Sequence, residues 1–168
     1  ASAALTAGTF EVVALVDRQA AGQLSPAEEA FLRLAINVNK RRTSITSTDV
    51  IRLGIEVLGG NGAIESFSIL PRLLRDAIVC ENWEGTHHTL TVQVLRDLHR
   101  YRQHEPFLVE IGRRFAATAD PRLAELRERG AALVARLGEE VSAVLNTLPD
   151  AATLSMRPLM DRLAWALW

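Results

Sequence analysis

The feature that most limits how this chain can fold is one long segment with helical periodicity and marked ends. Ser25, Pro26 and Glu28 form the pattern of a capping box, with Ser25 as the N-cap and Pro26 as the first helical residue. Apolar side chains then recur at helical spacing as far as Leu58, and the glycine-rich run 59–62 ends the helix. The pattern predicts one long helix from Pro26 to Leu58.

The remaining helices follow from apolar spacing and from Gly and Pro punctuation. Within the long helix, Thr43–Thr48 is weak helix-forming sequence, so a break or kink there is an alternative. The other predicted helices cover about 9–21, with Thr9 as N-cap, then a short helix that begins at Leu70–Ala77, then 86–101, 106–118, 121–147 and 150–168. The core side of the 86–101 helix is predicted to be Leu90, Val94, Leu95 and Leu98.

Strand signals are few, because β-branched clusters are short and only 5% of the residues are aromatic. Short connections favour antiparallel neighbours. The predicted fold class is therefore all-α, an up-down helical bundle of the four-helix type with additional C-terminal helices. A chain of 168 residues, 48% of them hydrophobic, can bury the core of one such domain.

Charge and cysteine content limit the partners and the compartment. Lys+Arg 19 against Asp+Glu 20 leaves a net charge of -1, so no broad field attracts nucleic acid or an anionic membrane. The single cysteine, Cys80, and the lack of a long apolar run favour a cytoplasmic protein without a membrane span. Lys40 is the only lysine, and we interpret the excess of arginine as a coding bias rather than as function.

Two polar patterns are candidates for binding sites. The run Gly59–Gly62 lets backbone N–H groups approach an anion, but it follows a helix and lacks the lysine of a phosphate-binding loop. A plain helix-ending turn is the favoured interpretation. His87 and His88 are adjacent, whereas metal ligands on one helix face are three or four residues apart. His99 is not at that spacing from either of them. No metal site is predicted.

Glu84 precedes Gly85 at the predicted start of a helix, where a carboxylate is favoured by the helix dipole. The simplest hypothesis is that Glu84 caps this helix and does no chemistry. The alternative is that a buried Trp83 removes water from the carboxylate and makes it a general base. Arg75 and Asp76 are interpreted as an ion pair at the surface or at a helix end.

The order of three motifs adds a further constraint. Val57–Gly62, Pro71–Asp76 and Trp83–Thr86 follow one another along the chain. This series resembles the C-terminal helical domain of the acyl-CoA dehydrogenase family, whose members carry a Gln-x-x-Gly-Gly-x-Gly turn, an Arg-Asp helix and an aromatic-Glu-Gly-Thr/Ser turn at similar intervals. The resemblance covers about Phe10 to Arg100 and implies a family-like core at residues 9–100.

The resemblance implies an FAD-dependent α,β-dehydrogenation of an acyl-CoA thioester. In many members the glutamate of the aromatic-Glu-Gly-Thr motif removes the α-proton, which implies that Glu84 is the catalytic base. Thr86 and His88 match positions that contact FAD. The motif differs at His87-His88-Thr89, where the family commonly has Ser-x-Ile-Gln.

The glycine motif carries the other cofactor positions implied by the resemblance. Gly59, Gly60 and Gly62 match a turn that approaches the adenine end of FAD, often of an FAD bound mainly by a neighbouring subunit. Glu56 stands where the family usually has glutamine, and Ala63 replaces the usual aromatic residue. A homo-oligomer and an acyl-CoA substrate are the implied partners, while no residue specifies the electron acceptor.

The family normally has two further domains ahead of this one. We therefore expect residues 1–168 to be a single helical domain from a longer flavoprotein, inactive alone and not retaining FAD. The extension 101–168 resembles the family branch of the bacterial adaptive-response protein of alkylation damage. Its nine arginines and nine acidic residues make a poor surface for nucleic acid. The alternative function is a non-catalytic helical module for oligomerisation or DNA association.

Overall fold

The computed structural model describes residues 2–168, except for the side chains of Ser2 and Pro149. The described part of the chain is all-α and contains no strand, which confirms the predicted fold class. No helix within it combines the length and apolar character needed to cross a membrane. Residues 2–168 form seven α-helices: α1 Ser2–Ala20, α2 Pro26–Leu58, α3 Leu70–Asn82, α4 His87–Tyr101, α5 His104–Ala116, α6 Ala124–Leu145 and α7 Pro149–Leu167. Short 3₁₀ turns cover Gly59–Ala63 and Pro121–Leu123.

Helix α2 begins with the predicted capping box. The Ser25 backbone N–H and hydroxyl both donate to Glu28 Oε2 at 2.8 Å, and the Glu28 N–H donates to Ser25 Oγ at 3.3 Å. Arg18 adds an ion pair of 2.8 Å to the same carboxylate. These bonds satisfy backbone donors that the first turn of a helix leaves without partners.

The possible break at Thr43–Thr48 does not occur, because α2 is continuous as far as Leu58. The hydroxyls there bond back to carbonyls four residues earlier, from Ser44 to Lys40 at 2.9 Å and from Ser47 to Thr43 at 2.9 Å. Hydroxyls that can bond back in this way are compatible with a helix interior.

Several predicted helix ends need correction. Helix α1 begins at Ser2 instead of Thr9, and the Thr9 hydroxyl donates to the Asn39 side chain at 3.4 Å instead of capping the helix. Helix α5 begins at His104, two residues before Pro106, because proline is tolerated in the first turn of a helix. Helix α3 begins at Leu70, as predicted, and ends at Asn82. Pro121 starts a 3₁₀ turn, and α6 begins only at Ala124.

The chain divides into two compact units. The terminal unit comprises residues up to Asn39 together with Thr91–Trp168, and the central unit is Lys40–Leu90. The apolar core belongs to the terminal unit, where Phe31 and Phe107 stack with ring centroids 5.3 Å apart. The four core positions predicted for the 86–101 helix are all buried.

The C-terminal helices are tied into the terminal unit. Helix α5 packs on α6, and α6 packs on α7. The Trp168 indole N–H donates to Asn39 Oδ1 at 3.0 Å, so the last residue is bound to α2. Arg113 and Arg114 both pair with Glu110, at 2.7 and 2.9 Å. The charges of these two arginines are therefore neutralised locally.

The capping box predicts a pH dependence of stability. Hydrogen bonds from the Ser25 backbone and hydroxyl, and then from Arg18, lower the pKa of Glu28 from 4.5 to about 2. The contribution of this carboxylate to stability is thus complete above pH 4.5 and is lost as the pH falls towards 2. Urea unfolding at several pH values should show the stability advantage over Glu28→Gln shrinking across this window. A difference between the two proteins that does not vary with pH would contradict the assignment.

Candidate active site

All the site residues predicted from the sequence lie in the central unit. In this unit α3 runs antiparallel to the C-terminal part of α2. Gly54 faces Leu70, since a Cβ there would lie 3.2 Å from the leucine side chain, whereas Lys40 reaches Gly85 at the other end. The segments around Gly59 and Glu84 therefore occupy opposite ends of the helix pair.

The two groups of predicted residues are far apart along α2. Lys40, beside the Glu84 turn, and Leu58, beside the glycine turn, are eighteen residues apart in one helix. At a rise of 1.5 Å per residue this is about 27 Å. The structure thus brings Glu84, Thr86 and His88 into one segment, and it does not bring them to the glycine turn.

Glu84 lies in a sharp turn between α3 and α4. Its φ is 59°, and Gly85 follows with φ 121°. A left-handed conformation costs a residue with a side chain about 1–2 kcal/mol, so it persists only where surrounding contacts fix it. The Glu84 side chain is exposed, and its carboxylate has no hydrogen bond or ion pair within the described residues.

Thr86, and not Glu84, caps the start of α4. Thr86 makes the capping contact, because its Oγ1 accepts from the Thr89 N–H at 3.3 Å and lies 3.1 Å from the Thr89 hydroxyl. Trp83 is 59% exposed, so the expected burial of the carboxylate by this ring is wrong for the chain by itself. What remains for Glu84 is an accessible carboxylate without a structural partner.

The turn is held by polar side chains on one face of α2. Lys40, Ser44 and Thr48 are four residues apart, so they share one face. Lys40 Nζ donates to the carbonyl oxygens of Glu81 at 3.3 Å and Gly85 at 3.2 Å. The Thr48 hydroxyl donates to the Glu81 carboxylate. We call these three residues the polar stripe.

His87 joins the polar stripe to the first turn of α4. Its Nε2 lies 3.2 Å from Ser44 Oγ, and its Nδ1 lies 3.9 Å from Glu81 Oε2. The Ser44 hydroxyl donates to the Lys40 carbonyl at 2.9 Å, so its oxygen can accept a hydrogen bond from the His87 ring. His87 thus differs from the neighbouring His88, which is exposed.

Sequence reasoning missed the polar stripe. The sequence pattern assigns no role to Lys40, and it marks the hydroxyl residues of Thr43–Thr48 only as weak helix formers. The signal that could have found them is the spacing of three polar side chains on one face of a long helix. Among the described residues of the central unit, more polar than apolar side chains are buried. The buried polar residues are Arg41, Ser44, Thr46 and Thr48, and the buried apolar residues are Ala77 and Leu90.

The glycine turn is a 3₁₀ segment that ends α2, as predicted. Gly59 has φ +60°, and a Cβ added at Gly59 or Gly60 would meet no atom within 4 Å. Gly62 is buried, and a Cβ there would lie 2.6 Å from the Ile55 carbonyl oxygen. Gly59 and Gly60 therefore leave their backbone accessible, whereas Gly62 is required by close packing.

The other polar candidates have simple partners. Arg75 forms an ion pair with Glu65 at 2.5 Å and not with Asp76, so the expected pairing is wrong. Arg75 and Asp76 are neighbours in the helix and point in different directions, while the loop before α3 brings Glu65 within reach. The part of the chain that the structure describes holds no group of three His, Cys, Asp or Glu side chains suited to a metal ion.

Comparison with known families gives the same assignment as the motifs. The sequence model of the acyl-CoA dehydrogenase C-terminal domain matches residues 2–99, more than half of the chain. The chain belongs to the acyl-CoA dehydrogenase family. The match runs from the start of α1 into the last turn of α4 and leaves α5, α6 and α7 outside.

Two similar proteins illustrate this relation. Acyl-CoA dehydrogenase family member 11 of Caenorhabditis elegans is 40% identical over 87 residues, which are 52% of this chain and 14% of that protein. A solved structure described as the Bd2924 apo-form matches with a TM-score of 0.73 and 24% identity, over 96% of this chain and 29% of its own. That structure supports the fold alone. The chain thus spans less than a third of the length of either protein.

Packing in the glycine turn of this acyl-CoA dehydrogenase domain can be tested with two neighbouring glycines. Gly62→Ala should lower the free energy of unfolding by about 1–3 kcal/mol, because the added Cβ overlaps the Ile55 backbone. Gly60→Ala is the matched control and should leave stability nearly unchanged, since its Cβ enters open space. Urea unfolding of both variants measures the difference. Equal effects would show that the turn does not pack as described.

Proposed function

We propose that this chain is the C-terminal domain of an FAD-dependent acyl-CoA dehydrogenase in which Glu84 removes the α-proton of the acyl-CoA thioester. The observation that carries the proposal is the Glu84 carboxylate, which is exposed and unpaired in a left-handed turn held from α2. A cap or a structural ion pair would have a partner. A carboxylate that no other group of the protein occupies is free to take a proton from a ligand that comes within reach.

The proton transfer uses atoms of this chain. A Glu84 carboxylate oxygen takes the α-proton, and the electron pair of that C–H bond forms the new α,β double bond. The hydride that leaves the β-carbon would need an acceptor, which a bound FAD would supply. Hydrogen bonds to the thioester carbonyl acidify the α-proton, and parts of the protein outside this chain have to supply some of them. We therefore propose that the chain is inactive by itself and does not retain FAD.

The FAD contacts are proposed at both ends of the α2–α3 pair. Thr86 and His88 are exposed beside Glu84, so a ligand can reach them from outside the unit. Gly59 and Gly60 present open backbone about 27 Å away along α2. Glu56 is exposed one helical turn before them, and Gly62 contributes through the shape of the turn.

The distance between the two groups supports a proposed assembly. Residues at opposite ends of one helix pair cannot all contact the same part of a single FAD molecule. They are better placed to contact two different FAD molecules. We propose that the glycine turn meets the adenine end of an FAD held mainly by a neighbouring copy. The protein would then be a homo-oligomer.

We also propose a cytoplasmic location, because the single cysteine, Cys80, is an exposed free thiol.

The proposed base can be tested with an isosteric change. In the flavin-loaded full-length protein, Glu84→Gln should slow acyl-CoA-dependent bleaching of the flavin by roughly 10²–10⁴-fold, because the amide cannot accept the proton. Exchange of the substrate α-proton with solvent deuterium should be lost in parallel. Glu128→Gln changes an exposed glutamate of α6 and is the control. Unchanged bleaching in Glu84→Gln would refute this base, and no bleaching in the unchanged protein would favour a non-catalytic module.

The proposed assembly has its own test. Val50, Leu53 and Val57 form an exposed apolar row on α2 at helical spacing, with Leu53 58% exposed. Leu53→Lys should shift the sedimentation coefficient towards a smaller species, because it places a charge in the buried contact. Val109→Lys changes a 72% exposed valine of α5, outside the family match, and should not shift it. Equal sedimentation of all three proteins would contradict this interface.

A further inference from the structure

Lys40 contacts the main chain on both sides of Glu84. Its Nζ donates to the carbonyl oxygen of Glu81, in the last turn of α3, at 3.3 Å. The same atom donates to the carbonyl oxygen of Gly85, directly after Glu84, at 3.2 Å. One ammonium group therefore joins the two ends of the segment that includes the proposed base.

The chemistry of an ammonium group suits this position. The Glu81 carbonyl belongs to the last turn of α3, where carbonyl oxygens lack partners within the helix. A positive charge there also interacts favourably with the helix dipole. A lysine has three donors, so it can satisfy this carbonyl and that of Gly85 together. A flexible, unbranched side chain without a donor, such as that of methionine, can satisfy neither carbonyl.

The two other members of the polar stripe act on either side of the same turn. Thr48 bonds the side chain of Glu81, and Ser44 bonds the ring of His87. Neither contacts the backbone of the turn itself. Lys40 is the member of the stripe whose bonds fix the backbone in which Glu84 has φ 59° and Gly85 has φ 121°.

We propose that Lys40 is a positioning residue that holds Glu84 in its left-handed conformation and so aims the carboxylate at the substrate. The proposal rests on the proposed function of Glu84 as the base. Lys40 itself does not touch the reacting atoms in this scheme. Its removal should therefore affect the proton-transfer step more than the binding of the acyl-CoA.

The kinetic test uses the flavin-loaded full-length protein. Lys40→Met should lower kcat for flavin bleaching about 10- to 100-fold while KM stays within about twofold. The kinetic isotope effect with α-deuterated acyl-CoA should rise, because removal of the α-proton becomes more rate-limiting. Lys40→Arg keeps the charge and the donors and should recover part of the rate. Arg52→Met removes an exposed cation from the same helix and should leave both constants unchanged.

The structural test measures backbone hydrogen exchange in the same proteins. Lys40→Met should speed exchange in residues 81–89 at least about tenfold, with no change in the core segment 137–144 of the terminal unit. Arg52→Met should match the unchanged protein in both segments. Exchange that rises everywhere would indicate general destabilisation and would contradict a local positioning role.

The outcomes separate this proposal from the one on which it rests. If Glu84→Gln abolishes bleaching but Lys40→Met behaves like Arg52→Met in rate and exchange, the Lys40 proposal is wrong and the Glu84 base stands. If Glu84→Gln has no effect, the base is wrong and the positioning role falls with it, even where exchange rises in 81–89. A parallel loss of kcat, substrate affinity and thermal stability that Lys40→Arg does not restore would overturn the positioning role.

Discussion

The two hydrogen bonds from Lys40 to the carbonyls of Glu81 and Gly85 are the contacts on which the geometry of the central unit's turn depends. A glutamate in the left-handed region is strained, and nothing in its own side chain compensates for that strain here. The compensation comes from α2, whose polar face satisfies carbonyls and side chains of α3 and α4. An exposed catalytic candidate is thus held in place through its backbone, which leaves its carboxylate free.

The two ends of α2 could be predicted from the sequence, whereas its continuity in the middle depends on tertiary contacts. The capping box at Ser25 and the glycine turn after Leu58 are local signals, and both were predicted correctly. The continuity through Thr43–Thr48 was not certain, because helix propensity is a weak signal that tertiary contacts override. Ser44 bonds the ring of His87, and Thr48 bonds the carboxylate of Glu81. The positions with poor helix propensity are therefore those that make tertiary contacts.

The prediction of the site was limited for a comparable physical reason. Motifs identified Glu84, Thr86 and the glycines, since each motif is contiguous in sequence. Lys40 is 44 positions before Glu84 in the chain, and only the antiparallel register of α2 and α3 makes it a neighbour of the turn. The exposure of Trp83 was also beyond the sequence, because an aromatic residue beside a helix end packs or remains exposed according to what lies opposite it.

Exposure of Glu84 and Trp83 has a consequence for catalysis. A carboxylate surrounded by water is a weak base towards a carbon acid, and excluding water strengthens the electrostatic interactions that favour proton transfer. The central unit fixes the direction of the carboxylate through Lys40, but it does not remove water from it. Orientation and desolvation are therefore contributed separately. The first comes from α2, and under the proposed function the second comes from the acyl-CoA and the flavin.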